Sequence, residues 1–365
     1  MRVMLLIPLL LLASCAPSPR QVDQSARDTA ALRGLRFLEQ IASNPQHFTN
    51  YGPDLLWAFY SLSEASADPL FRQESRTFGA KLARQWRDAH PSVPPNAGIN
   101  QIYNYIAGSE TADDLGVIDD PMRHELARQA GRFSAVEWLA FNPQMEPPPA
   151  DIPHRCSRCN HQNHRGVKDC RKCGARLTMV SPYDILFEAL VTTYAGHHYG
   201  VRLGADYGDV ARWIPALRPY PVPTTLAADS NVTYTITHII YTLNDYDRYR
   251  LRPEWLPQEF AYLKAHARMA IDENDAETLG EFIDSLQVFG LTDKDPQVRS
   301  GIDYLLAHQN PDGSWGEVQD HDIYTRYHTT WTGIGGVMRY AWRGEQLAIP
   351  EALPAILSGP ARISP

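Results

Sequence analysis

Apolar residues fall three and four positions apart in stretch after stretch of this chain, the spacing that gathers them on one face of a helix. The clearest case runs from Arg299 to Val337. There Ile302, Leu305, Leu306 and Gln309 share a face. Asn310-Pro311-Asp312-Gly313 then stops the helix, because proline donates no backbone hydrogen bond and glycine takes the positive φ of a tight turn. A second helical run is expected from Tyr324 to about Trp342, with His328 and Trp331 on one face. Gly333, Gly335 and Gly336 leave its flank thin for close neighbours. Together the two runs read as a helical hairpin.

The outline recurs. A polar residue early in an apolar helix, followed three positions on by a packing residue, is found at Asp54 with Trp57, Asn100 with Tyr103 and Asp184 with Phe187. It returns at His238 with Tyr241, Glu277 with Gly280 and His328 with Trp331. Amphipathic stretches alternate with these starts: Ala31–Gln40, Leu70–Ala89, Met122–Phe141, Asp206–Leu217, Pro257–Ile271 and Pro296–His308. They are predicted as outer helices, and Asn50-Tyr51-Gly52-Pro53 as the opening of a helix near Asp54. The intervals lie near those of helical repeats, so the expected fold is all-α, about six hairpins closing into a ring. The Pro-rich loop Arg218–Thr225 should cross open surface.

Two runs carry a family resemblance. Gln309-Asn310-Pro311-Asp312-Gly313-Ser314-Trp315-Gly316, after an aromatic-aliphatic helix, resembles the Gln-Trp repeat of squalene and terpenoid cyclases. Tyr327-His328-Thr329-x-Trp331 is similar to a Tyr-His-Thr run in protein prenyltransferase β subunits, where the matching histidine is a zinc ligand. The resemblance implies an α/α toroid, with inner helices around a central cavity and outer helices packed outside them. No Asp-x-Asp-Asp acid motif accompanies it; Asp113-Asp114 and Asp119-Asp120 have another spacing and sit in loop-like sequence. Nor does a cysteine stand near an aspartate in the repeat helices.

A hydrophobic share of 44% in 365 residues supplies a sizeable core. A net charge of −8 argues against nucleic-acid partners, whose phosphates need clustered Lys and Arg. Arg2 precedes an apolar run, Val3 to Ala13, too short to span a bilayer and right for a signal-peptide core. It ends Leu12-Ala13-Ser14-Cys15, the lipobox pattern of bacterial lipoproteins, which implies cleavage of 1–14 and acylation of Cys15. Ala16 after the cysteine implies the outer membrane, with the body facing the periplasm. Residues 15–26 then form a tether, 27–145 and 181–345 the two parts of the toroid, 146–180 a Pro-rich linker with an insertion, and 346–365 a tail.

That insertion carries Cys156-x-x-Cys159 and Cys170-x-x-Cys173-Gly174. Two such knuckles a short loop apart supply four thiolates for a closed structural Zn²⁺ site, and the insertion resembles a zinc ribbon. Two disulfides are the alternative in an oxidising compartment. Asn160 rather than histidine follows Cys159, so a haem attachment is excluded. His161 and His164 read as solvated loop residues.

His328 and His238 hold equivalent places in their repeats and are the catalytic candidates, able to act as acid and base or to share a second metal. Asp54, Asp184, Tyr241, Tyr327 and Trp331 are expected to line the same cavity, with Tyr324 nearby. The aspartates equally suit helix starts, where a carboxylate accepts orphan backbone N–H groups. His197-His198 reads as surface, and Asp245 and Asp247 as a helix-terminal cluster pairing with Arg248 and Arg250. Two functions follow. One is an enzyme acting on an isoprenoid-like or glycan ligand; the other is a non-catalytic lipoprotein that binds a ligand or an envelope protein partner.

Overall fold

The computed structural model describes residues 23–149, 152–153, 156, 158–159, 161, 163, 167–177 and 179–357. The expected signal segment, Cys15, most of the tether, His164 and the end of the tail lie outside the described residues. The first part of the chain forms α1 (Gln24–Ser43), α2 (Pro45–Ala65), α3 (Pro69–Ala89), α4 (Ile99–Asp114), α5 (Asp120–Ala130) and α6 (Ala135–Leu139). A two-residue antiparallel pair, β1 (Ile152–Pro153) with β2 (Met179–Val180), brackets the cysteine segment. There follow α7 (Pro182–Tyr199), α8 (Tyr207–Ala211), α9 (Ser230–Asn244), α10 (Pro257–Asp272) and α11 (Ala276–Val288). The chain ends with α12 (Pro296–Ala307), α13 (Ile323–Val337) and α14 (Leu353–Leu357). Apart from the one strand pair, the regular structure of the described residues is helical.

Local chemistry sets these boundaries. Asn44, Asp68, Asp119 and Ser181 each accept a hydrogen bond from an orphan N–H of the helix they precede, and each is followed by proline in the first turn. Several expectations need correction. α2 begins at Pro45, and a kink at Tyr51, just before Pro53, leaves Asp54 inside the helix. The stretch Met122–Phe141 breaks into α5 and α6 around Gly131, where Ser134 opens a new capping box with Glu137. Asp206–Leu217 holds only α8 and one 3-10 turn, and α13 stops at Val337, after which Tyr340 pairs with Ser66. Asp113 and Asp114 close α4 rather than lying in a loop.

α2, α4, α7, α9, α11 and α13 follow one another in space, each packed on the next, and α13 also packs on α2. Tyr327 of α13 reaches Asp54 of α2, and Glu277 of α11 reaches His328 of α13, while late residues of α7 and α4 meet through His198 and Glu110. The six therefore run in the same direction. α11 is buried on every side, whereas α3 buries one stripe, including Phe71, Leu82 and Trp86.

The Asn-Pro-Asp-Gly turn locks the last hairpin to the first helix. Gln309 donates to the Ala30 carbonyl at 2.8 Å, and fully buried Trp315 donates Nε1–H to the Leu305 carbonyl at 2.8 Å. Gly280 allows α11 and α13 to touch: a Cβ there would lie 2.4 Å from the Thr332 carbonyl oxygen.

Candidate functional site

Residues of α2, α4, α7, α9, α11 and α13 line a cavity of about 350 Å³, within the range of small-molecule sites. Residues three positions after five of the six repeat starts supply rings to it: Trp57, Tyr103, Phe187, Tyr241 and Trp331 all line it. Asp54, His238 and His328 line the same upper tier, and Glu281 joins them one turn beyond Glu277. Two helical turns on, Ser61, Glu110, Tyr194 and Gly335 form a lower tier together with Tyr246, Asp247 and Asp284.

In the upper tier the histidines adopt opposite states. His328 Nδ1 lies 3.0 Å from Glu277 Oε1. Burial favours the neutral ring, but the hydrogen bond and charge of Glu277, with Glu281 and Asp54, raise His328 to about 9. It is an imidazolium at neutral pH, leaving Nε2–H as a donor. Glu277, itself held below the usual range despite burial, also accepts from Tyr234 at 2.5 Å and Thr329 at 3.1 Å. His238 Nδ1 lies 2.9 Å from the Tyr234 carbonyl, which can only accept, so Nδ1 carries the proton and Nε2 is the basic nitrogen. Burial first, and then the charge of His328, lowers His238 to about 4. A donor and an acceptor nitrogen thus share one cavity.

Two carboxyls complete this tier. Burial raises Asp54 against the opposing pull of His328 and of Tyr327, whose hydroxyl donates at 2.6 Å. Burial likewise raises Glu281 to about 7, although Thr237 donates to it at 2.8 Å. Tyr327 is fully buried behind Asp54 rather than lining the cavity. Asp184 also departs from expectation. Its carboxylate accepts from Ser181 N and Oγ, both at 3.0 Å, in a capping box at the start of α7, and it does not line the cavity.

The repeat starts do not mark the lower tier. His198 is not a surface residue: its Nδ1 lies 2.6 Å from Glu110 Oε1, and its ring is stacked near Tyr194. Burial pushes Glu110 up to about 7, while Glu110, Asp114 and Asp245 together outweigh burial and raise His198 to about 9. Asp245 does pair with Arg248, at 2.8 Å, but Asp247 faces Asp284 inside the cavity. Steps of seven residues along the same face lead from Asp54, Tyr103, Phe187, Glu277 and His328 to Ser61, Glu110, Tyr194, Asp284 and Gly335.

The cysteine segment stands apart, with Cys156, Cys170 and Leu177 forming a small core of their own. All four sulfurs lie within 4.8 Å of one another; Cys156 and Cys173 are 3.4 Å apart, and Cys159 and Cys170 are 3.5 Å apart. These spacings far exceed a disulfide bond of about 2.05 Å. They approach the roughly 3.8 Å edge of a tetrahedron with Zn–S arms of about 2.3 Å. The arrangement is compatible with a zinc site. Burial and the neighbouring sulfurs push the Cys159 thiol up to about 12, whereas at Cys170 the backbone N–H groups of Cys173 and Lys172 outweigh burial and bring it down to about 6. Among the described residues, neither His238 nor His328 belongs to a comparable ligand group.

No family model, curated protein or solved structure matches this chain.

Proposed function

We propose that the protein is a lipid-anchored lipoprotein of the bacterial envelope. Its body is an α/α toroid of about six hairpins whose central cavity binds a glycan and acts on it by acid–base chemistry. The observation that carries this reading is one cavity holding an imidazolium donor and a neutral imidazole acceptor among aromatic rings and carboxyls. Rings stack on the C–H faces of sugars, and carboxyls bind hydroxyl groups. Among the described residues no Lys or Arg side chain lines the cavity, which disfavours an isoprenoid diphosphate and favours the glycan. His328 is positioned to donate a proton and His238 to accept one. The inserted cysteines hold a structural zinc that stabilises the module without touching the cavity.

A second reading, a non-catalytic binding or scaffolding lipoprotein with an envelope partner, is supported by the carboxyls already satisfied within the fold: Asp54 by Tyr327 and Glu277 by His328. Incubating purified protein with a panel of oligosaccharides and analysing the products separates the two. Chemical change that disappears in His328→Ala supports the enzyme, binding without change supports the second reading, and no binding sinks the glycan reading. Release of the Cys15→Ser protein from the membrane fraction checks the anchor; retention in the pellet counts against it. Metal analysis should find one zinc per chain, and none in Cys170→Ser.

A further inference from the structure

At the lower tier, the Asp247 and Asp284 carboxyls have each other, and no cation, as their charged neighbour. Asp245, Tyr246 and Asp247 follow α9 with φ of 60°, 45° and 73°, three left-handed residues in succession and none of them glycine. Such strain persists only where the surroundings hold it, and it gathers at functional sites. Here it delivers Tyr246 and Asp247 into the cavity, with the Asp247 carboxyl against that of Asp284. Asp284 is only 4% exposed, and its Oδ1 has no hydrogen-bond partner. Tyr340 and Tyr241 are its hydroxyl neighbours. Arg248, next in sequence, is already engaged by Asp245 and Tyr60. Beside the two carboxyls stand ring faces: Trp57 and Tyr246 have centroids 5.0 Å apart, and Tyr241 and Tyr246 lie stacked at 5.7 Å.

Paired carboxyls with an orphaned oxygen, walled by electron-rich rings, form the environment that holds an ammonium group. We propose that the lower tier binds a protonated amine, so that the glycan of this cavity is an amino sugar bearing a free ammonium group rather than an acetamido or purely hydroxylated sugar. This rests on the glycan reading. The ammonium takes the place of the proton that the facing carboxyls share, and that proton leaves to solvent.

Titration calorimetry on the full chain at pH 7 tests it with three trisaccharides of the same linkage: β-1,4-glucosamine, its fully N-acetylated form and cellotriose. The free amine should bind tighter than either of the others by about tenfold or more. Asp284→Asn and Asp247→Asn, close in shape to the acids, should abolish the preference while the helical circular dichroism is kept. Equal or tighter binding of either other sugar, or a preference that survives both substitutions, overturns the proposal. Should a variant fail to fold, the ligand series on the unsubstituted chain decides. If no sugar binds, the glycan reading falls, and n-butylammonium in the same cell judges the amine site by itself. Binding that Asp284→Asn weakens retains the site, and no binding ends it.

Discussion

Two helical turns, about 10 Å, separate the two tiers of the cavity along the same helices, and the tiers treat buried charge differently. In the upper tier, His238 and His328 stand on either side of α11, both well buried. Burial drives both toward the neutral ring. Glu277 at 3.0 Å reverses that drive for His328, whereas Nδ1 of His238 is committed to a carbonyl and no anion offsets its burial. In the lower tier the partner of Asp284 is another carboxyl, that of Asp247, so burial and neighbour act together and Asp284 is raised well above the usual range. Depth alone is therefore a poor guide to protonation. The nearest partner sets the sign, and burial sets how much is at stake.

Removing the partner that defines the upper tier should have the largest effect. Glu277→Ala strips His328 of its anion and leaves Tyr234 and Thr329 without an acceptor, at a cost of about 3 kcal/mol by urea denaturation. The His328 ring, followed by NMR, should then titrate below its present value of about 9. A titration that stays there would show that Glu277 is not what holds the proton.

How far the sequence anticipates this site depends on periodicity. The pairing of a polar start with a ring three residues on locates Trp57, Tyr103, Phe187, Tyr241 and Trp331, because each of these helices turns the same face to the cavity. It also places His238 and His328 in one cavity. The lower tier lies partly on that face, at seven-residue steps, and partly in Asp245-Tyr246-Asp247, whose left-handed backbone no glycine announces. Charge pattern misleads there: acids followed by arginines suit a solvated cluster, yet only Asp245 uses Arg248. The cysteine segment was legible for the opposite reason, since metal geometry constrains spacing locally and needs no distant partner.

The tiers should also separate by pH. His328, raised from 6.5 to about 9, binds more protons folded than unfolded between those values. Its stabilisation is full below pH 6.5 and is lost as pH rises through 9. His238, lowered to about 4, binds fewer protons folded, so stability falls as pH drops from 6.5 toward 4. Asp247, raised from 3.8 to about 6, holds its proton better when folded, so its ionisation destabilises the fold as pH rises through that window. Asp247→Asn removes that cost while keeping an acceptor for Asn244 Nδ2 and a residue type tolerated at positive φ. It should raise stability at pH 7 by up to about 3 kcal/mol and leave stability at pH 4 little changed. A loss at pH 7 would mean that Asp247 is ionised and held by a cation.

The smallest effect belongs to a residue that shares a repeat position with Asp54 but not its place. Asp54 comes after a kink, inside α2, and turns into the cavity; Asp184 lies three residues past the Ser181 cap, close enough to reach back to Ser181 N and Oγ at 3.0 Å. Asp184→Ala therefore removes half of a capping box, worth about 1 kcal/mol, and leaves the cavity lining intact. Thermal unfolding should register that small loss, while the pH response of His238 and His328 and the affinity for any cavity ligand stay as they were. Because Asn231 donates to the Ser181 hydroxyl at 2.6 Å, part of the cap survives and the loss should fall at the lower end of the usual range. A clear fall in ligand affinity in Asp184→Ala would instead place its carboxylate in contact with the ligand.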